Sequence, residues 1–111
     1  MDNIITHFEA LLAKGQDNTM LRYGLGNAYS KEKVFVTAAM HFAKALEFEP
    51  NYSAAWKGYG KALAENQQIE EAIDAYMQGI AVAEKKGDKQ AAKEMRVFLK
   101  RLQKSVEQKN A

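Results

Sequence analysis

A chain of 111 residues with one proline, no cysteine and a net charge of +2 can bury a core without metal or disulfide staples. The missing cysteines exclude disulfides, thiol catalysis and thiolate metal sites together. No apolar run approaches the roughly 20 residues of a membrane span, and Asp2 stands where a secretory leader wants positive charge. A soluble, unprocessed, single-domain cytoplasmic protein is therefore expected. The small net charge conceals an asymmetry, because residues 85 to 111 carry nine lysines or arginines against three acids and residues 1 to 84 carry seven against eleven.

Ile4, Ile5, Phe8, Leu11 and Leu12 recur at helical spacing over residues 2 to 14, with Asp2 as cap and Gly15 as stop. Asp17, Asn18 and Thr19 offer caps for a second helix to about Ser30, whose apolar face is Leu21, Leu25, Ala28 and Tyr29. A third, Val34 to about Phe48, buries Phe35, Ala38, Ala39, Phe42, Ala45 and Leu46. It stops at Pro50, which lacks an N–H and biases Glu49 out of the helical region, while Asn51 and Ser53 are candidate caps for the next helix. This fourth helix spans about Tyr52 to Glu65 and buries Ala55, Trp56, Tyr59, Ala62 and Leu63. The fifth runs from Ile69 to about Lys86 with Ile69, Ala72, Ile73, Tyr76, Ile80 and Ala83 inward. Gly87 ends it, Asp88 caps the sixth, and Ala91, Ala92, Met95, Phe98, Leu99, Leu102 and Val106 form one stripe to about Gln108. No segment alternates with period two, so the fold class is all-α.

A shift of 34 residues lays Gly24 on Gly58, Gly26 on Gly60, Ala28 on Ala62 and Ala38 on Ala72, and sets Phe42 on Tyr76 and Leu46 on Ile80. Small residues thus recur where antiparallel helices approach closely, and large ones where the gap must be filled. The pattern resembles the tetratricopeptide repeat family, with its W-x2-L-G-x2-Y…A-x3-F…P signature. The first copy reads Arg22, Leu25, Gly26, Tyr29, Ala38, Phe42, Ala45 and Pro50, lacking only the tryptophan. The second reads Trp56, Tyr59, Gly60, Leu63, Ala72 and Tyr76, then Gly79 and Glu84; losing the proline predicts a longer fifth helix. The resemblance implies a right-handed α-α superhelical stack of antiparallel helix pairs with a C-terminal capping helix. Its expected divisions are a half-repeat helix (2 to 15), repeats 19 to 52 and 53 to 86, and a cap over 88 to 108.

His7 and His41 lie 34 residues apart, so repeat phase accounts for the pair, and no converging ligands or carboxylate argue for metal or acid–base work. Gly24-x-Gly26 and Gly58-x-Gly60 sit inside helices after no strand, which points to helix packing rather than phosphate binding. Glu70 and Glu71, neighbours on a helix, point apart and read as a solvated N-terminal turn. Trp56 reads as a packing residue, and Met20, Met40, Met77 and Met95 as gap-fillers, with Met20 toward the groove. No catalytic residue, metal or cofactor is expected.

The family resemblance implies that the first helix of each pair lines a concave groove taking peptides. Carried onto this chain, the groove residues are Met20, Tyr23, Asn27 and Ser30, then Lys57 and Lys61, suited to an acidic or carboxylate-ended segment. A second expected partner surface is the basic stripe Lys93, Arg96, Lys100, Arg101 and Lys104. Modest net charge and the lack of interleaved exposed aromatics argue against nucleic acid. The expected function is non-catalytic protein or peptide binding as an adaptor or assembly factor. The second reading is a structural homo-oligomer, such as a homodimer, associating through the last helix.

Overall fold

The computed structural model describes residues 3–110. Six helices succeed one another: α1 (Asn3–Ala13), α2 (Thr19–Lys31), α3 (Phe35–Phe48), α4 (Ser53–Glu65), α5 (Ile69–Lys86) and α6 (Lys89–Asn110), with no strand among the described residues. Every bound lies within two residues of the sequence expectation. The proposed Asp2 cap lies outside the described residues. None of these helices is long and apolar enough to cross a membrane.

Each helix packs antiparallel against the next, α2 also meets α4, and α4 meets α6, whereas among the described residues the α3 and α5 backbones nowhere come within 8 Å between Cα atoms. The layer of α3 and α5 therefore fans open, and α2, α4 and α6 form the closer-set inner wall of the stack.

What lets neighbouring helices approach is a set of notches. A methyl on Gly26 would stand 2.7 Å from the Phe42 ring, and one on Gly58 would stand 2.5 Å from it. Phe42, fully buried, is thus wedged between a glycine of its own pair and a glycine of the next. Gly60 forms the matching notch for Tyr76, where an added methyl would lie 2.6 Å from the ring. The face of Tyr76 then stacks on Phe98 of α6 at 5.8 Å between centroids. The apolar stripe of α6 is buried at Ala91, Ala92 and Met95, so α6 covers the open end of the second pair.

Loop chemistry follows the residues closely, with one correction. Asn18 caps α2 by accepting from the Leu21 N–H at 2.9 Å, and Asp88 caps α6 through Ala91 at 3.2 Å. Neither Asn51 nor Ser53 caps α4; Tyr52 holds that position without a side-chain cap. Instead the Asn51 carbonyl accepts from Lys86 Nζ at 2.8 Å, and buried Ser53 donates to Asp88 Oδ2 at 3.2 Å. Both groups tie the start of α4 to the α5–α6 joint, which takes them away from local capping. Glu49 is extended (φ −142°, ψ 88°) before Pro50 as that proline requires. Helix α5, without a proline, runs 18 residues against 14 for α3.

A second correction concerns the methionines. Met95 is buried, but Met20, Met40 and Met77 lie on outer faces and fill no gap, because the small residues Ala38, Ala39, Ala72 and Ala75 already close those helix contacts.

Helices α2 and α4 end alike. Val34 N–H reaches the Tyr29 carbonyl at 2.9 Å and Gln68 N–H reaches that of Leu63 at 2.9 Å, which places Lys33 (φ 62°) and Gln67 (φ 65°) in the left-handed region. An L-residue is disfavoured there by about 1–2 kcal/mol, partly offset in glycine by its freer unfolded chain. Lys33→Gly and Gln67→Gly are each expected to raise stability by about 0.5–1 kcal/mol. Urea unfolding of the two variants checks this, and an unchanged midpoint in both refutes it.

Candidate functional site

The inner wall carries a groove of ≈ 560 Å³ built by three helices. Tyr23, Asn27 and Ser30 project from one face of α2, Ala54, Lys57 and Lys61 from α4, and Glu94 and Phe98 from α6. Gly58 has no side chain, so the α4 backbone itself forms the floor there, with the fully buried Phe42 ring directly beneath it. Tyr23 meets Phe42 edge-on at 5.9 Å and packs against Tyr52 at 4.8 Å, which fixes its ring at the groove wall. Burial, then the neighbouring Tyr23, raises the Tyr52 hydroxyl above the usual phenol range.

Of the six groove residues read from the sequence, five line this depression; Met20 does not, and is 72 % exposed. It lies a turn before Tyr23, near the start of α2.

Lys57 does not present a free charge. Its Nζ donates to Glu94 Oε1 at 2.7 Å, and Gln90 donates to the other carboxylate oxygen at 2.9 Å. The Lys57 contact, seconded by Gln90, holds the Glu94 carboxyl below its ordinary range. Among the described residues Lys61 has no ion-pair partner, so it is the open cation of the α4 face. Glu94 and Phe98 were not read from the sequence as groove residues. The available signal was an acid within a basic helix, one position from the buried Met95.

The basic stripe of α6 is also partly engaged. Arg96 pairs with Glu84 of α5, and the Arg101 guanidinium lies 5.9 Å over the Phe98 ring. Lys93, Lys100 and Lys104 are exposed.

The two histidines, equivalent in repeat phase, differ in surroundings. His7 is exposed beside Phe8, with ring centroids 6.0 Å apart. His41, 2 % exposed, sits in a polar node: Arg22 holds Asp17 through two bonds (2.7 and 2.9 Å) and donates to His41 Nδ1 at 3.1 Å. Because a guanidinium can only donate, Nδ1 accepts and the neutral ring carries its proton on Nε2. That atom faces Glu9 Oε2 at 3.8 Å without a hydrogen bond. Tyr29 stacks on the imidazole at 5.5 Å and donates to Glu9 at 2.6 Å, and this bond raises its hydroxyl pKa. Burial, then Arg22, lowers the His41 pKa. The node joins α1, α2 and α3. Among the described residues no cluster of three or more His, Asp or Glu side chains is arranged to hold a metal.

Trp56 is half-buried, packs against all three core clusters and donates from its indole to the Pro50 carbonyl at 2.8 Å. It is the second pair's counterpart of Arg22, and both residues fasten the helix to the loop before it.

A sequence profile described as tetratricopeptide repeat matches residues 41–74, straddling the joint at Pro50. The chain is 46 % identical over 99 residues to a TPR repeat-containing protein of Pseudomonas aeruginosa, covering 89 % of this chain and 94 % of that one. It is similar to the solution structure of a Bordetella parapertussis protein (TM-score 0.82, 42 % identity, 95 % of this chain and 91 % of the other). It is similar also to the crystal structure of a tetratricopeptide repeat domain protein of Salinibacter ruber (TM-score 0.71, 26 % identity, 78 % and 97 %). This fold generally mediates protein–protein interaction, and its members are generally non-catalytic. With its helix pairs, its 34-residue phase and a full-length relative at this identity, the chain belongs to the tetratricopeptide repeat family.

Proposed function

We propose that the chain binds a segment of a partner protein along the groove between α2, α4 and α6 and works as an adaptor or assembly factor. The observation that carries this reading is the groove itself, with Tyr23 and Phe98 offering apolar faces beside Asn27, Ser30 and Lys61. Such a surface suits an extended or helical segment with one large apolar side chain and an acidic group or chain-end carboxylate aimed at Lys61. Lys57 contributes less, because Glu94 already neutralises it. The cysteine-free sequence fits work in the reducing cytoplasm. We take the bounds 19 to 52 and 53 to 86 as its two repeats.

The test is capture of partners by wild type and by Tyr23→Ala/Asn27→Ala/Lys61→Glu, with helix content followed by circular dichroism. Substituting groove anchors is expected to weaken capture about tenfold or more. Undiminished capture by a folded triple variant would sink the groove reading. Homo-oligomerisation through the apolar stripe of α6 has weaker support, since Ala91, Ala92 and Met95 are already buried against α4 and α5. The remaining α6 surface, Lys93, Lys100 and Lys104, is a place for an acidic partner.

A further inference from the structure

On the far side of α4, away from the groove, a crevice of ≈ 460 Å³ is walled by Trp56 and Tyr59 and rimmed by Glu70, Glu71 and Asp74, with Ala75 beside them. The two aromatic rings are half-buried and tilted at 54°, with centroids 6.2 Å apart. Among the described residues none of the three carboxylates has an ion-pair partner. Glu71 accepts only from Gln68 at 3.0 Å and Asp74 only from Gln78 at 2.8 Å, both neutral amides. Their field converges on the crevice: after burial, Glu71 and then Asp74 raise the Tyr59 hydroxyl pKa.

The repeat supplies an internal comparison. Counting back 34 residues, Ala75 corresponds to His41 and Trp56 to Arg22. In the first pair a guanidinium and an imidazole touch at 3.1 Å, with Asp17 and Glu9 as counter-charges. In the second pair the imidazole is absent and the guanidinium is replaced by an aromatic wall, while three acids stand where the first pair has Val36, Thr37 and Met40. The second pair thus has walls and negative charge with no cationic group between them, the neutral amide of Gln78 completing the lining beside Asp74.

We infer that this crevice binds an arginine side chain of a basic segment on a partner protein, as a second site independent of the groove. A guanidinium is flat enough to lie against Trp56 or Tyr59, and its fork matches the open oxygens of Glu71 and Asp74. Lysine fits less well, being a compact, strongly hydrated point charge.

Trp56 is the sole tryptophan, so its emission reports the crevice directly. The probe is the capped tripeptide Gly-Arg-Gly, titrated at constant ionic strength. A saturable emission change in the millimolar range is expected. It should weaken about fivefold in Asp74→Asn and again in Glu71→Gln, with helix content unchanged. Capped Gly-citrulline-Gly, equal in shape and uncharged, should give no saturable change, and Gly-Lys-Gly a weaker one. The groove variant Tyr23→Ala/Asn27→Ala/Lys61→Glu should retain the full response, which separates this site from the groove. An equal response to the citrulline peptide, a wild-type response in the double carboxylate variant, or no saturable change would each overturn the inference.

Discussion

Replacing Phe42 by alanine is expected to lower the unfolding free energy by about 3–5 kcal/mol, out of the roughly 5–15 kcal/mol typical of a single domain. The ring is fully buried and is held on both sides by backbone, at Gly26 and at Gly58, so the cavity left behind cannot collapse cheaply. Phe42→Leu keeps most of the volume and should cost about 1 kcal/mol. The glycine side of the wedge gives the complementary test. Gly58→Ala gains up to about 1 kcal/mol in helix propensity, but its methyl meets the ring at 2.5 Å, and overpacking of this kind costs about 1–3 kcal/mol. In a Phe42→Leu background that clash is relieved, so the two changes should couple by about 1 kcal/mol instead of adding. Urea unfolding followed by circular dichroism measures the four variants beside the wild type. A loss below about 1 kcal/mol for Phe42→Ala, or strict additivity of the pair, would show that the ring is not the wedge between helix pairs.

That wedge was legible in the sequence because it is periodic. Gly26 and Gly60 recur at the same phase as Phe42 and Tyr76, and a spacing that repeats states which residues face each other even when no coordinates are known. The helix ends were legible for a related reason: Pro50, Gly87, Asn18 and Asp88 act on their immediate neighbours. The α4 start was misread because Ser53 and Asn51 are engaged from residues 35 positions away, at Asp88 and Lys86. Local capping rules contain no information about such partners.

The groove was only half legible, and the reason is again range. Tyr23, Asn27 and Ser30 lie on one face of one helix, so helical spacing places them together. Glu94 arrives from α6, which packs on α4 at an angle no periodicity encodes, and it turns Lys57 from an open cation into one half of a pair. Glu70 and Glu71 are solvent-exposed, as read, and what range concealed was the depression beside them. Glu70 and Glu71 do point apart on their helix, yet both edge one depression, because Trp56 and Tyr59 of the preceding helix complete it. His41 was assigned to repeat phase alone, whereas burial by α1 makes it the centre of a polar node that its counterpart His7 lacks.

The node reverses what sequence resemblance suggests for Arg22→Trp. That change would restore the family's tryptophan at the position matching Trp56, which by consensus should stabilise. Here it removes the donor to the buried His41 Nδ1 and both bonds to Asp17, and the indole must enter space the imidazole occupies. Leaving buried polar atoms unpaired costs about 1–3 kcal/mol, so destabilisation is expected. Adding His41→Ala, which reproduces Ala75 of the second pair, should recover about 1–2 kcal/mol of that loss by emptying the space and deleting the orphaned nitrogen. A pH series supplies a readout that mere packing would not move. His41 has its folded-state pKa depressed below the ordinary 6.5, first by burial and then by Arg22. As pH falls through that value the unfolded chain takes up the proton first, so stability declines until the folded imidazole also protonates; at higher pH the contribution is constant. The wild type should therefore lose stability between about pH 7 and pH 5, a window in which the double variant should be flat. The depressed carboxyls of Asp17 and Glu94 contribute only lower, below their ordinary 3.8 and 4.5. If Arg22→Trp alone raises the urea midpoint, or if the acid dependence survives in the double variant, the Arg22–His41 contact is not what sets the balance at the first helix pair.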